Sequence, residues 1–173
     1  MEEFNYRLKV ASVGYAYEDG QIIRIDSRLI HEEVVKPALR ILQAKGYEGP
    51  RKEFHQAFDH LRAGDHKDAI VWANKAFEST LKAICTKKGW VFNKGARASD
   101  LIKVVRLNGL LPAYLENSFD QLAAVLSSGL PQVRNNEGGH GDGPVPLSTP
   151  EYVAAFAIHL AAAKIVFLTD AAA

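Results

Sequence analysis

The stretch DHKDAIVWANKAFESTLKAIC, residues 65–85, decides the fold. Ala69, Trp72, Ala73, Ala76, Phe77, Thr80, Leu81 and Ile84 step by three and four, the spacing of a helix face turned to a core. Asp65 stands where an N-cap would accept the first free N–H groups, and Gly89 is where the helix is expected to end. The other face carries Lys67, Asn74, Lys75, Glu78 and Lys82 and reads as solvated. Lys75 and Glu78 are its candidates for a supporting role beside a functional site. A helix with so marked an apolar stripe needs other helices to cover it, and the flanking sequence offers them.

Upstream, Phe54, Ala57, Phe58 and Leu61 keep helical spacing from a start near Pro50 to a stop at Gly64. Before that, Leu29, Ile30, Val34, Pro37, Ala38, Ile41 and Leu42 predict a helix from Asp26 or Ser27 to Gly46, kinked at Pro37. Residues 6–26 alternate apolar and polar around Asp19-Gly20, which predicts a β-hairpin. A lone hairpin is marginal in water. Residues 1–26 are therefore expected to pack on the helices, pair with another chain, or form a junction to a further N-terminal domain, with the helical domain over 27–173.

Downstream, Ser99 is placed to cap a short helix that Gly109 ends. Phe119, Leu122, Ala123, Leu126, Leu130 and Val133 predict a helix kinked or restarted at Pro131, with Arg134 and Asn135 in its last turn. Thr149-Pro150-Glu151 is a start signal: an N-cap, a proline at the first helical position, then an acid. The helix that follows, YVAAFAIHLAAAKIVFL (152–168), is apolar on nearly every side and is expected to sit centrally, or to give one side to the core and the other to a partner chain. His159 and Lys164 interrupt it, and it falls short of the roughly 20 apolar residues of a membrane span. The fold class is mainly α, a bundle of five to six helices preceded by a short β-hairpin.

The whole chain of 173 residues is 47% hydrophobic and 24% charged, with a formal net charge of +1. No global basic field advertises nucleic acid, so such a partner would have to be met by a local site. The single cysteine, Cys85, excludes an internal disulfide framework and a cysteine metal cluster, and lies where a small buried hydrophobe is expected. No cationic segment followed by an apolar run opens the sequence, and a cytoplasmic location with no membrane association is expected. Trp72 and Trp90 read as core and helix-end packing and His159 as a core histidine, while His55, His60 and His66 show no ligand spacing.

Chemistry concentrates in LPQVRNNEGGHGDGPVP, residues 130–146. Arg134 and His140 are six positions apart, which on a continuous helix means about 9 Å of rise and roughly 240° of rotation, so they would not converge. Gly138 and Gly139 can adopt positive φ and fold the chain back. A convergent arginine and histidine suit phosphodiester chemistry without a metal, because the guanidinium holds the phosphate and the imidazole moves the proton. With RNA the ribose 2′-hydroxyl is the nucleophile. The same residues also make sense as a helix-end arginine, turn asparagines and loop glycines. Glu137, His140 and Asp142 match no strong metal-ligand spacing, and GGHGDG lacks the Lys-Ser/Thr of a phosphate loop. No metal or other cofactor is expected.

The string RNNEGGHG resembles the Arg-Asn followed by His that marks the HEPN superfamily. FHQAFDHLRAGDHKDAIVWANKAFESTLKAIC, GLLPAYL, SGLPQVRNNEGGHGDG and YVAAFAIHLAAAKIVFL together resemble the C-terminal domain of abortive-infection (Abi) proteins, over roughly residues 50–170. The resemblance implies a helical bundle that dimerises and, in active members, a metal-independent ribonuclease whose motifs from two protomers line one cleft. Carried over by position, Arg134 would bind phosphate and stabilise the transition state, Asn135 would orient, and His140 would be the general acid/base. Asn136, Gly138, Gly139 and Gly141 join Arg134 as substrate-binding candidates.

Two functions follow: a phage-defence endoribonuclease, or a non-catalytic sensing, anion- or nucleotide-binding or dimerisation module serving another effector domain. The expected partners are a second copy of the chain, joined through the last helix or the segment around Arg134, RNA or a nucleotide, and an N-terminal effector domain or an antitoxin.

Overall fold

The computed structural model describes residues 2–10, 15–18, 21–24, 31–110 and 149–173. Among these the architecture is mainly helical. The elements are α1 (Glu2–Val10), strands β1 (Tyr15–Glu18) and β2 (Gln21–Arg24), a π-turn (His31–Val35), α2 (Lys36–Ile41), α3 (Glu48–Ala63), α4 (His66–Lys87), α5 (Ala98–Leu107) and α6 (Glu151–Ala171).

The alternation from Tyr6 predicted strand, and there the structure differs: residues 6–10 belong to α1. The Glu3 carboxylate accepts from Arg7 at 2.9 Å one turn on, a pairing that only a helix provides. The strands pair antiparallel from Tyr15 opposite Arg24 to Glu18 opposite Gln21, and Asp19 and Gly20 lie outside the described residues. Asn5 reaches from α1 to the edge of β1. Its amide nitrogen donates to the Tyr17 carbonyl at 2.7 Å, and its oxygen accepts the Tyr17 N–H at 2.6 Å. One side chain thus satisfies both edge groups of that residue, with Phe4 edge-on to the Tyr17 ring.

Pro37 brings about more than a kink. It lacks an N–H and its ring crowds the preceding turn, and the five residues 31–35 are wound as a π-helix before α2 takes over with Pro37 in its first turn. At the start of α3, Glu48 folds its carboxylate back onto the Gly46 N–H, at 3.1 Å from both oxygens. Its own N–H and that of Gly46 hold this carboxyl below the usual carboxylate range.

Gly64, at φ +81°, ends α3. Its N–H bonds the Leu61 carbonyl and the Asp65 N–H bonds the His60 carbonyl, so the last free carbonyls are satisfied and the chain reverses within two residues. Gly89 after α4 and Gly109 after α5 repeat this pattern of bonds. Helix starts depart from expectation. Asp65 makes no side-chain cap bond. The start of α5 is closed by Asp100, whose carboxylate accepts the Arg97 N–H at 3.3 Å, and Ser99 lies inside the helix. Pro150, not Thr149, takes the N-cap position of α6.

The long hairpin α3–α4 presents Phe54, Ala57 and Phe58 against the stripe of α4. On the other side of α4 lies α6, whose buried Ala154, Ala157, Ala161 and Ala162 let the two backbones approach closely. The two helices run in the same direction, because Thr149 meets the first residue of α4 and Thr169 shares a cleft with Lys87 and Lys88 at its last turn. Helix α5 covers another part of α4, and the π-turn and α2 lean on α6. Phe77, Leu81, Ile84, Leu101, Ile158, Ile165 and Leu168 are the fully buried heart of this core. By length and composition α6 is long and apolar enough to cross a membrane, and half of its most apolar window is buried inside the bundle.

Candidate functional site

Arg134, Asn135, Asn136, Gly138, Gly139, His140 and Gly141 lie outside the described residues, as do Glu137 and Asp142 and the expected helix over 119–133. The structure describes the frame on which that segment ends. Thr149 is buried, and its carbonyl accepts from Nδ1 of His66 at 2.7 Å across a separation of 83 residues. A carbonyl only accepts, so Nδ1 carries the proton and Nε2 is the second ring position. His66 is the first residue of α4, and the chain nine residues beyond His140 is therefore tied to the α3–α4 corner.

Around that corner the polar and aromatic side chains are ordered. The His60 ring stacks nearly parallel on Trp72, with centroids 6.2 Å apart and planes at 11°. Nδ1 of His60 lies 3.5 Å from the Asp65 carboxylate and 3.9 Å from that of Asp68. Trp72 meets the ammonium of Lys75 3.9 Å from the ring centroid, a cation–π contact one turn along α4. Glu78 accepts from Lys82 at 2.8 Å. Lys75 and Glu78 are thus neighbours on α4, each with a partner on its own helix.

Three findings were not legible in the sequence. His66 and His60 act through tertiary partners that sequence spacing does not reveal. Asn74 belongs to the buried side of α4, not to its solvated face: it is 5% exposed, and its Oδ1 has no hydrogen-bond partner among the described residues. Lys164 is buried on α6 with its ammonium 5.1 Å from the Phe77 ring, and loss of water around it pulls its pKa down to about 8. Cys85 is buried as expected, and burial pushes its thiol up, away from reactivity. Among the described residues no three His, Cys, Asp or Glu side chains group to hold a metal ion.

At the opposite end of α4 and α6 lies a half-open cleft of about 250 Å³, with Tyr47, Ile84, Lys87, Lys88, Thr169 and Asp170 in its wall. Tyr47 is buried there, which raises its phenol above the ordinary range.

No curated protein and no solved structure matches the chain. A family profile does: the HEPN-like domain Abi_C matches residues 48–172. That span begins with α3, takes in α4, α5 and α6, and encloses the segment from Arg134 to Gly141. Most of the helical core and the polar motif thus fall inside one match covering most of the sequence, and the chain belongs to the Abi_C family of HEPN-like domains.

Proposed function

We propose that this domain is a metal-independent endoribonuclease of abortive infection, a phage-defence effector. The observation that carries the reading is that Arg134, Asn135 and His140, which resemble the HEPN motif in the sequence, lie within the residues 48–172 that match the family. The tie between His66 and Thr149 supports it, because it anchors the chain shortly after His140 to a rigid helix start.

In this reaction the ribose 2′-oxygen attacks the adjacent phosphorus and the bond to the 5′-oxygen breaks. The products are a 2′,3′-cyclic phosphate and a 5′-hydroxyl. Arg134 holds the non-bridging oxygens and stabilises their growing charge. His140 takes the proton from the 2′-hydroxyl or delivers one to the leaving oxygen, Asn135 orients the phosphate, and Asn136, Gly138, Gly139 and Gly141 offer backbone N–H groups to it. Lys75 and Glu78 contribute from α4 at most through their neighbours.

The test is cleavage of a mixed single-stranded RNA pool in chelator by the parent, Arg134→Ala and His140→Ala. The expected outcome is cyclic-phosphate ends from the parent and a loss of at least about 100-fold in each variant, the scale of a positioned acid/base. Intact RNA across pH 5 to 9, or undiminished cutting by His140→Ala, overturns the reading.

One observation favours the alternative of a non-catalytic module that binds an anion or nucleotide for another effector domain. The net charge of +1 supplies little of the phosphate attraction that usually dominates RNA affinity. Binding of RNA without turnover is the result that selects it.

A further inference from the structure

The half-open cleft at the ends of α4 and α6 has polar groups that the fold leaves unused. Tyr47 lines it and is only 6% exposed, and its hydroxyl makes no hydrogen bond among the described residues. A phenol buried to that degree needs a partner, and the cleft is where one can enter. Lys87, Lys88 and Asp170 also line the cleft and are exposed, and among the described residues none of the three is held in an ion pair. Charges of both signs thus face one space without neutralising each other.

Donors and acceptors are divided between the two helices. On the α4 side the two ammoniums only donate. On the α6 side the ionised Asp170 only accepts. The Thr169 hydroxyl donates to the Ile165 carbonyl at 2.7 Å or to that of Val166 at 3.0 Å, and so has only lone pairs left to offer. The C-terminal ends of α4 and α6 meet here, and the partial negative charge of a helix C-terminus favours a cation. Ile41, Ala44 and Ile84 make the rest of the lining apolar. The site therefore suits a ligand with an anion for Lys87 and Lys88, a cation for Asp170 and a hydrocarbon body.

Size and charge narrow the choice. The volume of about 250 Å³ lies below the roughly 300–1,000 Å³ of sites for drug-sized ligands, so the ligand is small. A nucleotide or a dicarboxylate brings negative charge alone and meets Asp170 and two helix ends. A polyamine meets the lysines. A fatty acid leaves Asp170 unmatched. A free amino acid carries carboxylate, ammonium and hydrocarbon on one carbon and matches all three demands.

We propose that this cleft is a binding site for a free α-amino acid with an aliphatic side chain. Its carboxylate is held by Lys87, Lys88 and the Tyr47 hydroxyl, its ammonium by Asp170 and the Thr169 oxygen, and its side chain lies on Ile41, Ala44 and Ile84. The 22 residues of α4 set the cleft about 33 Å from the corner where His66 meets Thr149, so this is an effector site apart from the RNA chemistry. Occupancy ties the ends of α2, α4 and α6 together and stabilises the fold. The proposal does not rest on the ribonuclease reading, and its test contains no RNA.

The test is NMR titration of the full 173-residue chain with leucine, beside three analogues that each lack one feature: glycine without the hydrocarbon, leucinamide without the carboxylate and 4-methylpentanoate without the ammonium. Leucine is expected to bind with a Kd of about 1 mM or tighter and to raise the thermal midpoint. Each analogue is expected to bind at least about tenfold more weakly, the scale of one charged contact. Asp170→Asn is expected to weaken leucine by about the same factor and to leave 4-methylpentanoate unchanged. Lys87→Ala with Lys88→Ala is expected to weaken leucine and to leave leucinamide unchanged. These three side chains are exposed, so the fold is kept. Tyr47→Phe retains the ring and is expected to weaken leucine several-fold. Absence of leucine binding at ~10 mM, glycine binding as tightly as leucine, a nucleoside monophosphate binding more tightly than leucine, or an Asp170→Asn chain that binds leucine like the parent overturns the proposal.

Discussion

Lys164 shows how one side chain couples burial to pH. Its ammonium lies over the Phe77 ring with almost no exposure, and desolvation lowers its pKa to about 8. The unfolded chain holds that proton up to the ordinary lysine value near 10.4. Between these limits the unfolded state binds more protons, so this group adds stability as pH rises and withdraws it as pH falls through about 8. Cys85 and Tyr47 act the other way. Their raised pKa values give stability that is present below the ordinary thiol and phenol values and lost as pH rises towards their values in the fold. Comparison with Lys164→Met cancels both. From pH 8 to 10 the parent is expected to gain stability relative to Lys164→Met, measured by urea unfolding at each pH; parallel curves would contradict it. The sequence displays a charge inside an apolar helix, but its position over Phe77 depends on how α4 and α6 meet, and no local pattern records that.

At the scale of the element, helix ends were legible in place and in bonding, whereas helix starts were legible in place, within a residue or two, but not in the groups that close them. Gly64, Gly89 and Gly109 stop their helices as their positions predicted, because a left-handed residue closing the last carbonyls is a local requirement. An N-cap competes with tertiary partners, and so Asp65 caps nothing while its carboxylate lies near His60. The alternation of residues 6–10 misled for a similar reason: Glu3 and Arg7 support a helix there, and Asn5 needs that helix to reach Tyr17. The expected outcome of Gly64→Ala follows from its φ of +81° with open space around it. A methyl group meets no neighbour, so the cost is backbone strain alone, about 1 kcal/mol, read as a lower midpoint in urea with an unchanged slope. A loss several times larger would mean that the α3–α4 turn carries more than its own conformation.

At the scale of the whole molecule, α6 is the element on which the others depend, since α4, α3, α2 and the π-turn all pack against it. Apolar residues on every side left two placements open, the centre of the bundle or one side in the core and the other against a partner chain, and the bundle buries one side while Tyr152 and Phe156 stay exposed. The motif from Arg134 to Gly141 was readable only as a string, because a polar segment has no periodicity to fix its geometry. Deleting residues 149–173 uncovers Phe77 and takes away the Thr149 anchor of His66 together, and the remaining chain is expected to keep some helix while losing cooperative thermal unfolding, followed by circular dichroism. A sharp transition in that fragment would show that the α3–α4 hairpin is a core by itself. The side-by-side course of α4 and α6 also bears on how the protein is made. The two-residue link lets α3 and α4 form together as soon as they leave the ribosome. The helix that closes their open side is translated some 60 residues later, roughly 3–12 s at ordinary rates of synthesis. For that interval each nascent chain carries the flank of α4 that α6 covers in the finished fold without α6 to cover it.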